Sequence, residues 1–108
     1  MSNKEVNLFS PIQIGNLELD NRLVRSATAE SLAPEPSGRA TPALAARLGG
    51  RARGGGGRII SGPAYVTPQG KAHPEMLSVH CDEMIPGLKT LAETVHEHGG
   101  RIALQINH

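Results

Sequence analysis

Four segments of the chain carry the hydrophobic patterns of β-strands. Ile12 to Leu19 alternates apolar and polar residues on both sides of Gly15-Asn16, a pair able to supply the positive φ of a two-residue turn, and so predicts a β-hairpin. Arg22 to Thr28 and Arg58 to Ala64 predict two short strands that both end in small residues. Arg101 to His108 places Ile102, Leu104 and Ile106 on one face, with Ala103, Gln105 and Asn107 on the other, and predicts a third strand after the hairpin.

The segment between the predicted strands at residues 22–28 and 58–64 has the pattern of a loop followed by a helix. Residues 30–41 contain several residues that break regular structure, which argues for an exposed loop: Pro34, Pro36, Ser37 and Gly38. Thr41-Pro42 suits an N-cap followed by a first-turn proline, and opens a segment rich in Ala, Leu and Arg. We expect the helical structure to be weakened at Gly49-Gly50 and the helix to end by Gly54.

The second helix is predicted between the last two strands. Asp82 is its expected N-cap, Pro86 lies in its first turn, and Gly99-Gly100 is its expected C-terminal stop. Its apolar residues recur at helical spacing and define one face: Ile85, Leu88, Leu91, Ala92 and Val95. The resulting order of strand, helix, strand, helix, strand implies a parallel sheet, because parallel neighbours need long crossover connections.

Two parallel folds fit this order, and the glycines distinguish them. An open dinucleotide-binding sheet carries G-x-G-x-x-G directly after its first strand, where this chain reads Thr28-Ala29-Glu30-Ser31. The glycine run Gly54 to Gly57 precedes the second strand instead, and fits a helix-to-strand connection. The prediction is therefore an α/β fold that forms the N-terminal third of a (β/α)₈ TIM barrel.

The active site of such a barrel lies at the C-terminal ends of its strands. This chain places Ser26-Ala27-Thr28, Gly62-Pro63-Ala64 and Gln105 to His108 at those ends. Three strand ends of small or polar residues predict one shared ligand. The hairpin at residues 12–19 fits as a two-stranded flap over the N-terminal mouth, before the first barrel units at residues 22–108.

Composition adds limits to this prediction. With 11 basic and 10 acidic residues among 108, the chain has no net field that would favour nucleic acid or an anionic membrane. It shows no apolar run of signal-peptide or membrane-span length, so we expect a cytoplasmic protein. One Phe, one Tyr, no Trp and 13 glycines predict poor stability in isolation.

Several reactive side chains receive a structural interpretation. The five histidines do not share a recognisable ligand spacing, so no metal site is predicted. Cys81 precedes a helix N-terminus, which could lower its pKa, but an incidental thiol is the favoured interpretation.

Glu30 with Arg25, and Asp82 with Glu83, are explained as solvated charge and helix capping. The Arg- and Gly-rich residues 49–58 lack the aromatics of a nucleic-acid-binding segment.

A series of short motifs, in order along the chain, makes the prediction specific. The motifs are Leu8-Phe9-Ser10-Pro11-Ile12, Asn21 to Thr28, Ala52-Arg53-Gly54-Gly55, Ser61-Gly62, Val66-Thr67-Pro68-Gln69-Gly70, and His96 to Gly100 leading into Leu104 to His108. Together they resemble the Old Yellow Enzyme family of NADH:flavin oxidoreductases. The resemblance runs from about Leu8 to the last residue.

The resemblance implies a barrel that holds FMN non-covalently at its C-terminal mouth, takes electrons from NADH or NADPH, and reduces small-molecule alkenes activated as enones, enoates or dienoyl thioesters. By the same resemblance, Ser26, Ala27 and Thr28 lie beside the flavin ring, and Gly62-Pro63 occupies the second strand's place. Gln105 is implied to bond the pyrimidine edge, where a carboxamide offers both a donor and an acceptor.

The catalytic residues of the family are implied to lie beyond His108. These are the His/His or His/Asn pair that binds the substrate carbonyl, a Tyr proton donor, and the groups that hold the FMN phosphate. We therefore expect residues 1–108 to be the N-terminal segment of a flavin-binding barrel domain and to be inactive alone. The parent enzyme could be a monomer or a homo-oligomer. The alternative is a small self-standing α/β binding module that oligomerises.

Overall fold

The computed structural model describes residues 5–34, 37–55 and 57–108. Of the predicted turn residues, Pro36 and Gly56 therefore lie outside the described part. The hairpin is confirmed: β1, Ile12–Ile14, pairs antiparallel with β2, Leu17–Leu19. Gly15 supplies the positive φ of the turn, at 58°.

The remaining strands form a parallel sheet of four around a central strand. They are β3, Val24–Arg25; β4, Arg58–Tyr65; β5, Leu77–Ser78; and β6, Arg101–Asn107. β6 runs along most of one edge of β4, so β3 and β5 share the opposite edge. β3 pairs with the beginning of β4 and β5 with its end.

Two features of this sheet differ from the prediction. The first strand is shorter than Arg22 to Thr28, because only Val24 and Arg25 pair with β4. The sequence does not predict β5, since two residues carry no periodicity and their pairing with β4 is a long-range contact. β4 and β6 match the predicted strands to within one residue at each end.

The first helix, α1, spans Pro42–Arg53, and its start is confirmed. The Thr41 hydroxyl accepts a hydrogen bond from the Leu44 amide at 3.1 Å, as an N-cap should. The expected weakening at Gly49-Gly50 is wrong, because the helix continues through both residues. Gly49 faces the second helix so closely that a Cβ there would lie 2.8 Å from the Thr94 methyl carbon.

The second helix, α2, spans Ile85–Glu97. The prediction of Asp82 as its N-cap is wrong, because a 3₁₀ turn at Asp82–Met84 precedes the α-helical residues and moves the N-cap to Met84. The predicted stop is confirmed, as Gly99 leaves the helix with φ of 81°. Ile85 is exposed, so the buried face of α2 begins only at the following turn.

Both helices cover the same face of the sheet. Their buried residues and those of the sheet form one cluster: Leu44, Ala45, Leu48, Ala52, Ile59, Ala64, Leu77, Leu91 and Val95. The strands that the two helices connect, β3, β4 and β6, are neighbours in chain order, with both crossover helices on one side. Sequential strand order with one-sided helices is the winding of a barrel, whereas a doubly wound sheet reverses its strand order. In the described residues the sheet is open.

The loop before α1 is less exposed than its composition predicts. Ala33 and Gly38 are buried, and the Gly38 carbonyl accepts a hydrogen bond from the Ser78 amide at 2.8 Å. Gly38 adopts φ of 72°, and a Cβ there would lie 2.7 Å from the Cβ of Ser78. The expectation of an exposed loop is wrong here because this segment covers β5.

Candidate functional site

The predicted site residues after β3 and within β4 lie against each other. A Cβ atom on Gly62 would be 2.5 Å from the Thr28 carbonyl oxygen and 3.3 Å from its carbonyl carbon. The chain after Arg25 therefore continues alongside β4, although it no longer pairs with it. Glycine at position 62 is what allows the two backbones to approach this closely.

The predicted residues of β4 and β6 are also neighbours. Pro63 pairs in parallel register with Gln105, so their side chains leave the sheet on the same face. Ile102 and Leu104 face α2 and line a cleft with its apolar residues. Gln105, one position later, consequently lies on the opposite face of the sheet, where its side chain is exposed.

The segment Ser26-Ala27-Thr28 follows β3 and reaches Gly62 of β4 at Thr28. Ser26 and Thr28 are exposed and Ala27 is half-buried. The Thr28 hydroxyl donates to the Ser26 carbonyl at 3.2 Å, so this side chain is engaged within its own segment. The arrangement is compatible with contacts made through the backbone of the segment.

Ser61 is a site residue that sequence reasoning missed. Ile60 pairs with Ala103 and Pro63 with Gln105, so β4 carries one extra residue here as a β-bulge. The fully buried Ser61 hydroxyl accepts from the Gln105 amide at 3.1 Å and donates to the Gly62 carbonyl at 2.8 Å. One side chain thereby fixes the backbone of β6 relative to the bulge. A hydroxyl inside an apolar strand was the available signal.

A partly enclosed charge network lies beside the same segment. Arg25 forms an ion pair with Glu30, and their side chains are only 15% and 7% exposed. The second Glu30 oxygen is 3.1 Å from Arg47 on α1, and Arg25 also donates to the Ile60 carbonyl at 3.1 Å. The interpretation of Arg25 and Glu30 as solvated charge is therefore wrong, because α1 and the sheet enclose a pair that is local in sequence.

Arg25 is a largely enclosed positive charge, and it needs the carboxylate of Glu30 as its counter-charge. Burial lowers the pKa of Arg25 from its ordinary value, and the positive charges of Arg51 and Arg47 lower it further. An arginine nonetheless stays protonated in proteins. Glu30 is the acidic side chain that contacts this enclosed cation, and the carboxylate compensates it.

The site is an open face rather than a closed pocket. The cavity that touches Gly62 on the helix side has a volume of about 20 Å³, whereas cofactor pockets usually have several hundred. A shallower depression of about 180 Å³ lies at the carboxyl ends of β4 and β6. It is lined by Val66, Ile106, Asn107 and His108.

Other candidate side chains form no comparable arrangement. A hydrogen bond with the Glu83 carboxylate raises the pKa of Cys81, so the lowering considered for a thiol at a helix N-terminus is not seen. Across residues 5–34, 37–55 and 57–108, no three His, Cys, Asp or Glu side chains are placed to hold a metal ion. None of the helices in those ranges has the length and apolar character needed to span a bilayer.

Comparison with known proteins identifies the family. Residues 7–108 match the model of the NADH:flavin oxidoreductase / NADH oxidase family. The chain belongs to this family. FMN and NADH or NADPH, the cofactors that the resemblance implied, are those of NADH:flavin oxidoreductases.

Individual relatives agree with this assignment. An NADH oxidase from Thermoanaerobacter brockii is 42% identical over 94% of this chain and 16% of its own length. An NADPH dehydrogenase from Bacillus subtilis (strain 168) is 38% identical over 94% of this chain and 30% of its own length. The chain spans less than a third of the length of the curated relatives it matches.

A solved structure confirms the fold class. Old Yellow Enzyme from Pichia sp. AKU4542 superposes with a TM-score of 0.87 at 29% identity, covering 96% of this chain and 27% of that one. Such enzymes are TIM barrels, and this chain is an α/β segment of that fold with a parallel sheet that is not closed in the described residues.

Proposed function

We propose that this chain supplies part of the isoalloxazine cradle of an FMN-dependent NAD(P)H oxidoreductase that reduces activated C=C bonds. The observation that carries the proposal is the meeting of three successive strand ends. Thr28 lies against Gly62, and Pro63 is in register with Gln105. The carboxyl ends of barrel strands are where this fold builds its active site.

The residues at these ends suit a flavin ring in their chemistry. Gln105 presents a carboxamide on the open face of the sheet, able to donate and accept at adjacent polar atoms of the pyrimidine edge. The Ser61 hydroxyl accepts a hydrogen bond from the backbone N–H of Gln105, which fixes the backbone of Gln105 relative to Gly62-Pro63. FMN held at this face would supply the two-electron chemistry needed to pass hydride from NADH or NADPH to an enone, enoate or dienoyl thioester.

The proposal assigns residues 1–108 to the N-terminal segment of a flavin-binding barrel domain. Residues 12–19 are the proposed flap and residues 22–108 the first barrel units. The catalytic groups and the FMN phosphate site are proposed to lie outside this chain, which would then be inactive alone. Its span of less than a third of its relatives' length supports that assignment.

The test replaces Gln105 in the full-length protein. Gln105→Leu removes the carboxamide and is expected to weaken FMN binding by roughly tenfold, the cost of one good polar contact to a charged or buried group. Gln69→Leu is the matched control, because Gln69 is an exposed residue of the turn at Pro68–Gly70. Titration of the apoprotein by quenching of FMN fluorescence measures both affinities.

Two outcomes would count against the proposal. Full-length wild-type protein that purifies without FMN and does not bind added FMN would overturn it entirely. A Gln105→Leu protein with the wild-type affinity and absorption spectrum would remove Gln105 from the cradle.

A further inference from the structure

The predicted flavin-contacting segment is enclosed by an ion pair at its two ends. Arg25 precedes Ser26-Ala27-Thr28 and Glu30 follows it by two positions, and the two side chains are paired. The short segment between them is therefore closed into a loop by a contact that is itself largely excluded from water. A strain or shift at either charged residue would be transmitted directly to the backbone of Ser26 to Thr28.

The ion pair is also anchored to the rest of the fold on two sides. Arg25 donates to the Ile60 carbonyl in β4, immediately before the bulge at Ser61. Glu30 contacts Arg47 on α1 through its second oxygen, at 3.1 Å. The loop is thus held to the sheet by one partner and to the covering helix by the other.

The backbone after Glu30 is consistent with an imposed position. Ser31 adopts φ of 53°, a left-handed conformation that is uncommon for a residue with a side chain. Such conformations persist where the surrounding contacts fix them. Ser31 directly follows Glu30, whose carboxylate is paired with Arg25 and Arg47.

We propose that Glu30 is a positioning residue for the flavin: it holds Ser26-Ala27-Thr28 in register with Gly62 without touching the cofactor itself. The proposal rests on the proposed function, since it needs a flavin on that face. Arg47 contributes less than Arg25, because its side chain is 48% exposed and its charge is screened by solvent. Removal of the carboxylate would leave the enclosed Arg25 guanidinium without its counter-charge.

The experiment separates positioning from general stability in the full-length holoprotein. Glu30→Gln keeps the shape and removes the charge, while Glu30→Asp keeps the charge and shortens the reach. Val95→Ala is the control, because Val95 is a fully buried residue of α2 in the core cluster and has no contact in the charge network. Each variant is measured for melting temperature, FMN affinity and the visible absorption spectrum of the flavin.

We expect Glu30→Gln to weaken FMN binding roughly tenfold to a hundredfold and to shift the flavin absorption bands, as misplacement of a supporting group does. Glu30→Asp should show a smaller change of the same kind. Val95→Ala should lower the melting temperature and leave FMN affinity and spectrum as in the wild type.

The inference is overturned if Glu30→Gln lowers the melting temperature while FMN affinity and spectrum match the wild type. If Glu30→Gln does not fold, Glu30→Asp decides by the same two readouts. Failure of the wild-type protein to bind FMN would instead defeat the proposed function, so the two failures are distinguishable.

Discussion

A single carbon added to Gly62 would lie 2.5 Å from the carbonyl oxygen of Thr28. The backbone that follows the first barrel strand, β3, therefore lies close against the second, β4, beside the proposed flavin site. The obstructing atom belongs to the backbone, so it cannot swing away as the end of a flexible side chain could. The close approach therefore depends on glycine.

Gly62→Ala is expected to displace the Thr28 backbone, because β4 is held by its pairing with β6, whereas the segment after Arg25 does not pair with β4. Overpacking of this kind costs about 1–3 kcal/mol of unfolding free energy. We also expect weaker FMN binding by the full-length protein. Urea unfolding and FMN titration measure both effects, and a variant with wild-type stability and affinity would contradict the contact. Gly50→Ala serves as control, since nothing lies within 4 Å of the added carbon.

The two glycines inside α1 should respond in opposite directions. Gly50→Ala is expected to stabilise the protein by about 0.5–1 kcal/mol, because alanine is the better helix former in open space. Gly49→Ala should be destabilising, since its Cβ would lie 2.8 Å from Thr94 Cγ2. Thr94 donates to the Thr90 carbonyl at 2.8 Å, which limits its freedom to move. Equal effects of the two substitutions in thermal unfolding would contradict the proposed packing of α1 on α2.

The elements that could be predicted from the sequence are those with local signals. Thr41-Pro42 marked the start of α1, Gly99 marked the end of α2, and the alternation in Arg101 to Asn107 marked β6. Each signal arises from residues within a few positions of the feature. For the same reason the three strand ends of the candidate site could be named in advance, although their role toward FMN stays a prediction.

The features that were missed depend on distant partners. Glu30 is enclosed because Arg47 on α1 lies over it, which no local pattern records. Ser61 occupies a bulge that exists only relative to β6, and β5 is a strand only because β4 pairs with it. Long-range contacts of this kind override the local preference for a loop or an exposed charge.

Cys81 should be a slow thiol whose reactivity depends on Glu83. Its pKa is raised chiefly by the hydrogen bond to the Glu83 carboxylate, so at a given pH less of it is thiolate than in an ordinary cysteine. Alkylation by iodoacetamide should therefore rise with pH later than for a free cysteine. Glu83→Ala should move that rise to lower pH, because the carboxylate that disfavours the thiolate is gone.

Peptide mapping by mass spectrometry follows the reaction at Cys81 alone. Glu93→Ala is the control, because Glu93 is an exposed acidic residue of α2 that is not among the groups acting on Cys81. A pH profile that is the same in the wild type and in Glu83→Ala would show that Glu83 does not control the thiol.

The isolated chain of residues 1–108 should neither retain FMN nor behave as a monomer. Ile106 is 66% exposed and Leu104 41%, and both lie on β6, an edge strand within the described sheet. Such an edge promotes association with other chains. Gel filtration with absorbance at the flavin bands, together with circular dichroism, checks this expectation. A cooperatively folded, yellow, stoichiometric FMN complex would contradict it and favour the self-standing binding module.

The central claim is that three successive strand ends hold one flavin ring. A crystal structure of the full-length protein with FMN tests it most directly. The account predicts the Gln105 carboxamide within hydrogen-bond distance, about 3 Å, of the pyrimidine edge, with the backbone of Ser26 to Thr28 beside the ring and Gly62-Pro63 beneath it. A flavin ring bound elsewhere, with Gln105 in solvent, would contradict it.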